Sequence, residues 1–187
     1  MDADYLKSIL NQIQHDRRQK IIQIDAKKAQ NDKELLNWIN SFGVQWDIAC
    51  CWHQPRGMEG SVKYLQKTLR KYFTKLNRTI FKGTKGMERE LPRFITFEKK
   101  GEVGWHAHGM IATPAHIDPN HLISLMEKEW LDWTSGYPKS RFVNHLFWGQ
   151  LIQSDYAAYS IKNISSNMYK RDGDETAFVD VFNTFRP

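Results

Sequence analysis

Two histidines one residue apart, His106 and His108, lie in the stretch Gly104-Trp105-His106-Ala107-His108-Gly109-Met110-Ile111. On a strand, side chains alternate between faces. The two imidazoles then project together, roughly 7 Å apart, while Trp105 and Ala107 point the other way. Neutral imidazoles presented in this way can share a divalent metal, leaving its other positions to a carboxylate, water or substrate. A carboxylate is at hand in the preceding segment. Arg93 to Glu98 alternates as a strand, with Phe94, Thr96 and Glu98 on one face and Ile95 and Phe97 on the other. Lys99 to Gly104 reads as a turn, so the two segments form a β-hairpin with a loop of about five residues. If Glu98 stands opposite His106 and Thr96 opposite His108, a carboxylate and two imidazoles converge. Glu102 in the turn is the alternative carboxylate. Oxygen ligands from a phosphate would favour Mg2+ or Mn2+ at such a site, and the imidazoles tilt it towards Mn2+.

A second constellation lies downstream. Tyr159 and Lys162 are three apart on a helix expected to start at Asp155, so they share a face, and Tyr156 is one turn earlier on it. Taken alone, such a tyrosine and lysine describe ordinary surface packing.

The elements that must position these residues follow from the apolar pattern. Val44 to Trp52 is an apolar strand, closed by Pro55 and Gly57. Ser61 caps a helix to about Asn77 with Val62, Leu65, Leu69, Tyr72, Phe73 and Leu76 as its apolar stripe. Its other side carries Lys63, Lys67, Arg70, Lys71, Lys75 and Arg78. Such a row is usually a solvated face; uniformly positive, it is also a candidate for phosphate contact. Phe81 to Glu90 is a Gly- and Lys-containing loop. Asp118 and Pro119 open a helix to about Thr134, ended by Gly136 and Pro138. Phe142 to Gln153 is a strand, weakened or bulged at Gly149. Ala177 to Phe185 is apolar enough to pack but ambiguous in type. The order strand, helix, strand, strand, helix, strand, helix predicts an α+β fold with a ferredoxin-like, split βαβ core. Its antiparallel sheet of about five strands has the histidine strand near the centre. Residues 1–40 form an N-terminal helical extension that could pack on the core, self-associate or lie on DNA, and residues 44–187 form the main domain.

Composition sets the bounds. The chain has 187 residues, 41% of them hydrophobic and 13% aromatic, sufficient for one folded core. Twenty-seven Lys and Arg against 21 Asp and Glu give a net charge of +6, which suits a polyanionic partner. The cysteines, Cys50 and Cys51, are adjacent; they form no metal knuckle or disulfide framework and point to a reducing compartment. With no signal peptide, membrane-length apolar run or lipidation motif in view, the expectation is a soluble intracellular protein.

His106-Ala107-His108 followed about fifty residues later by Tyr159-Ser160-Ile161-Lys162 resembles the HUH endonuclease superfamily. The tyrosine after the histidines resembles the Rep-type, single-tyrosine YxxK class of rolling-circle initiators of phages and plasmids. The resemblance spans about residues 44–170 and implies a fold, an activity and a set of roles. His106, His108 and Glu98 would hold Mg2+ or Mn2+. Tyr159 would be the nucleophile, with Tyr156 as second choice, and Lys162 would hold the phosphate, assist deprotonation or stabilise the linked state. The implied substrate is single-stranded DNA at an origin hairpin or nick site, with a host polymerase and helicase as partners in the cytoplasm of a prokaryotic cell. Cys51-Trp52-His53-Gln54 matches the family's opening-strand motif only loosely, residues 1–40 have no counterpart, and no P-loop accompanies the motifs. The same chemistry would serve a transposase or mobilisation relaxase. A non-catalytic ferredoxin-like nucleic-acid-binding module is the alternative from another class.

Overall fold

The computed structural model describes residues 29–55, 57–58, 61–82, 90–137, 145–153 and 177–179, with the side chains of 102 and 177–179 excepted. The elements are α1 (29–40), β1 (Ile48–His53), α2 (Val62–Phe81), β2 (Arg93–Lys100), β3 (Gly104–Ile111), α3 (Pro119–Thr134), β4 (Phe147–Leu151) and β5 (Ala177–Val179). The five strands form one sheet in the order β4-β1-β3-β2-β5, every neighbouring pair antiparallel. This is the expected α+β, ferredoxin-like arrangement, with the histidine strand at its centre.

Helix starts behave as their capping residues require. Ser61 Oγ accepts from Tyr64 N at 3.2 Å, and the Asp118 carboxylate accepts from Asn120 N and His121 N at 2.9 and 3.1 Å. Both helices lie on one face of the sheet. Leu65, Leu69, Tyr72, Phe73 and Leu76 from α2, with Leu122, Met126 and Trp130 from α3, pack into one core. The strands supply Ile48, Cys50, Trp52, Ile95, Phe97, Trp105, Ala107 and Ile111. The opposite face is covered over part of its area by the end of α1 and the chain after it, where Ile39 and Phe42 meet Phe94 and Met110. Trp38 sits edge-on to Phe94, with ring centroids 5.9 Å apart. Of the uses open to the N-terminal helix, packing on the core is what residues 29–40 do.

Boundaries depart from expectation for local reasons. The first strand begins at Ile48 rather than Val44, because Val44 and Trp46 turn into the small core around Phe42. Helix α2 continues past Asn77 to Phe81, since Ile80 extends the Leu76 stripe and no breaker intervenes. The hairpin loop is shorter than expected. Lys100 pairs with Gly104, so only Gly101–Val103 bridge the strands, with Gly101 and Gly104 taking φ of 43° and 72°. The fourth strand spans Phe147–Leu151, and its register against β1 is continuous through Cys50↔Gly149, so of the weakening or bulge expected at Gly149 the bulge is absent. Ala177–Val179, ambiguous by pattern, pairs with β2 at the sheet edge. The expected helix bearing Tyr156, Tyr159 and Lys162, and most of the Phe81–Glu90 loop, lie outside the described residues.

Candidate metal centre

The hairpin register brings the predicted ligands together. Glu98 pairs with His106 and Thr96 with His108, as alternation and turn length require. Imidazoles and carboxylate therefore emerge on the same face, away from the core that holds Trp105 and Ala107. Glu98 Oε2 lies 3.7 Å from His106 Nε2 and 3.3 Å from His108 Nε2. One ligand atom from each of the three residues falls within 4.8 Å of the others. The glycine after His108 has a steric role. A Cβ on Gly109 would sit 2.6 Å from the Trp52 ring, which Tyr72, Phe73 and Phe147 pin on its other sides. Trp52 can therefore occupy the core directly beneath the site.

The electrostatics favour a neutral imidazole at His106. Burial lowers the pKa of His106, and the neighbouring His108 lowers it further, against smaller opposing effects of the Gly104 carbonyl and Glu98. His106 Nδ1 is 3.2 Å from the Gly104 carbonyl oxygen, which can only accept, so the ring donates its Nδ1–H there. That tautomer leaves the Nε2 lone pair facing Glu98 Oε2, two acceptors turned towards each other. A cation between them resolves the repulsion, and the carbonyl that orients the ring is the usual outer partner of a metal-bound histidine. A donor set of two imidazole nitrogens and a carboxylate thus fits a divalent metal ion.

Other predicted residues fall elsewhere. Lys63, Lys67, Arg70, Lys71, Lys75 and Arg78 line the exposed side of α2, whose buried side packs on the opposite face of the sheet from the histidines. Lys75 pairs with Glu129 of α3 at 2.5 Å. The basic row and the histidine pair are therefore separated by the sheet. Glu102 stands in the middle of the Gly101–Val103 turn, two residues from the last strand pair, Lys100 and Gly104. Tyr156, Tyr159 and Lys162 lie outside the described residues.

Two neighbours of the site had only a loose motif to mark them. Across β1, His53 pairs with His106 and Cys51 with His108. The His53 ring stacks on that of His106, 5.1 Å between centroids and 18° between planes. Burial, reinforced by His106 and His108, pushes the His53 pKa down from 6.5 to about 4. The Cys51–Trp52–His53 alternation carries the signal for this placement, but only once β1 is known to lie beside β3.

No family model matches this sequence, and neither curated proteins nor solved structures give a match. Among the described residues, no helix is long and apolar enough to cross a membrane.

Proposed function

We propose that the chain is a metal-dependent, HUH-type single-stranded DNA endonuclease that nicks and rejoins through a 5′-phosphotyrosine, serving as a rolling-circle replication initiator. The observation that carries this reading is the convergence of Glu98, His106 and His108 on one sheet face. The order and spacing of His106-Ala107-His108 and Tyr159-Ser160-Ile161-Lys162 support it.

Glu98, His106 and His108 would hold the ion, Mg2+ or Mn2+. Bound there, it would polarise the scissile phosphate and offset charge building on its oxygens. The remaining work falls to the tyrosine and lysine. A tyrosine hydroxyl, with an ordinary pKa of about 10, is a poor nucleophile near neutrality and must lose its proton as it attacks. Tyr159 Oη forms a bond to phosphorus while the bond from phosphorus to the 3′-oxygen breaks. The proton lost by the tyrosine is balanced by one taken up at the 3′-oxygen, leaving a free 3′-OH that a polymerase can extend. The phosphotyrosine keeps the ester bond, so the 3′-OH can attack it in reverse and join the strands. Lys162, three residues further along the sequence, would offer its ammonium to the phosphate or assist the proton transfer. The substrate is single-stranded DNA at an origin hairpin or nick site, with host polymerase and helicase acting on the product in a prokaryotic cytoplasm.

The test is to incubate the protein with a random pool of single-stranded oligonucleotides, with and without Mn2+, and to look for a shifted band on a denaturing gel. A metal-dependent adduct is expected, and Tyr159→Phe abolishes it. An adduct formed at the wild-type rate by Tyr159→Phe transfers the nucleophile to Tyr156. No adduct from any member of the pool overturns the enzyme reading in favour of a non-catalytic nucleic-acid-binding module. Sequencing the cleaved oligonucleotides gives the site recognised.

A further inference from the structure

The two cysteines are adjacent, yet strand alternation sends them to opposite faces. Cys50 enters the helix-side core and donates its S–H to the Gly109 carbonyl at 3.5 Å. Cys51 faces the other way, onto the surface that carries His106 and His108, and lies directly across the strand pairing from His108. It is 6% exposed, with its Sγ 3.3 Å from His53 Nε2. In tetrahedral zinc sites, Zn–S of about 2.3 Å and Zn–N of about 2.0–2.1 Å set the sulfur-to-nitrogen edge at about 3.5 Å. The Cys51–His53 separation is therefore already close to that of two ligands on one soft cation. His53 Nε2 is turned to this sulfur, close enough to accept the thiol's hydrogen bond, so a cation there would replace that proton. Its Nδ1 is buried without a hydrogen-bond partner among the described residues, and its ring is held by stacking on His106.

We propose that Cys51 and His53 form a second cation position, beside the Glu98–His106–His108 group and chemically distinct from it, whose ligand is a thiophilic divalent ion of the Zn2+ class. The two positions sort metals by softness: oxygen and nitrogen donors on the β2–β3 side, sulfur and nitrogen donors on β1. Binding forms metal–Sγ and metal–Nε2 bonds and releases the thiol proton to solvent, while water completes the coordination. No oxidant or reductant takes part. Cation binding at this position requires neither DNA cleavage nor Tyr159.

The experiment titrates the full chain, reduced and free of DNA, with Cd2+ as the spectroscopic probe for this class of ion. A near-ultraviolet thiolate-to-cadmium charge-transfer band is expected. Cys51→Ser loses the band and Cys50→Ser keeps it, each variant checked for its fold by far-ultraviolet circular dichroism. His53→Gln weakens Cd2+ binding about tenfold or more, an independent measurement should either cysteine variant fail to fold. A band absent from the wild type, a band that survives in folded Cys51→Ser, or an unchanged Cd2+ affinity in His53→Gln overturns the proposal. Failure of the oligonucleotide assay bears only on the nickase reading, because no nucleic acid enters this titration.

Discussion

One face of the central strand carries two different surfaces only two residues apart. His106 and His108 open onto Glu98, whereas Met110, next on the same face, is buried with Phe94 under Ile39 and Phe42. The backbone is the same and so is the pairing with β2. What differs is the cover. Over Met110 the chain from α1 seals the sheet with aromatic and aliphatic side chains, and burial there stabilises the fold. Among the described residues, that apolar cluster is built on Phe94 and Met110, while the His106 and His108 side chains, 6% and 13% exposed, converge on a carboxylate. There the side chains have ligand geometry, with His106 held neutral and oriented at some expense in desolvation. The lesson is a division of labour along one strand: the apolar half fixes where the strand sits, and the polar half uses that fixed position.

The largest expected effect lies on the apolar half of the strand. Phe94→Ala should destabilise the protein by about 3–5 kcal/mol, read from the urea unfolding midpoint, while the folded fraction keeps its Mn2+ affinity. A parallel loss of Mn2+ affinity would mean that the two halves are not separable. From the polar side, His106→Ala should lower Mn2+ affinity by about 100-fold, roughly 2.7 kcal/mol, with little change in the unfolding midpoint. Equilibrium dialysis or the Mn2+ electron paramagnetic resonance signal measures it. An unaltered affinity would remove the metal centre.

A smaller effect concerns acid. His53 has its pKa lowered from 6.5 to about 4 in the fold, through burial first and then the two neighbouring histidines. Between these values the unfolded chain binds the proton more readily. The associated stability is therefore complete above pH 6.5 and is lost as pH falls towards 4. For protein stripped of metal by a chelator, the loss should be about 2 kcal/mol, the full shift being discounted for partial exposure. His53→Gln should flatten part of that slope in urea titrations at successive pH values. The smallest effect lies on the helical layer. Lys75→Met removes the partner of the largely buried Glu129 carboxylate, but Lys75 itself is more than half exposed. A decrease of about 0.5–1 kcal/mol in thermal or urea stability is expected.

Much of the site could be read along the chain because it depends on local rules. Strand alternation placed His106 and His108 together, and a short turn paired them with Glu98 and Thr96. The turn itself proved tighter, because Gly101 and Gly104 accept positive φ and let the strands close over three residues. The caps at Ser61 and Asp118 were likewise local, each a side-chain oxygen meeting amides within the next three residues. The role of β1 was not local. Cys51 and His53 lie more than fifty positions from the histidines they face, and strand order alone makes them neighbours.

The hairpin, the convergence of Glu98, His106 and His108 on it and the α+β order of elements are legible along the chain, since periodicity, glycine turns and capping residues act over a few positions. Tertiary structure alone decided which layer each element joined. It put the positive row of α2 on the opposite face of the sheet from the histidines, and it placed Cys51 and His53 beside them. A helix stripe or a strand's parity says that one side must be buried. Which partner buries it is settled by packing of the whole core, where Trp52 against Gly109 and Phe42 against Phe94 leave one arrangement that fills the space.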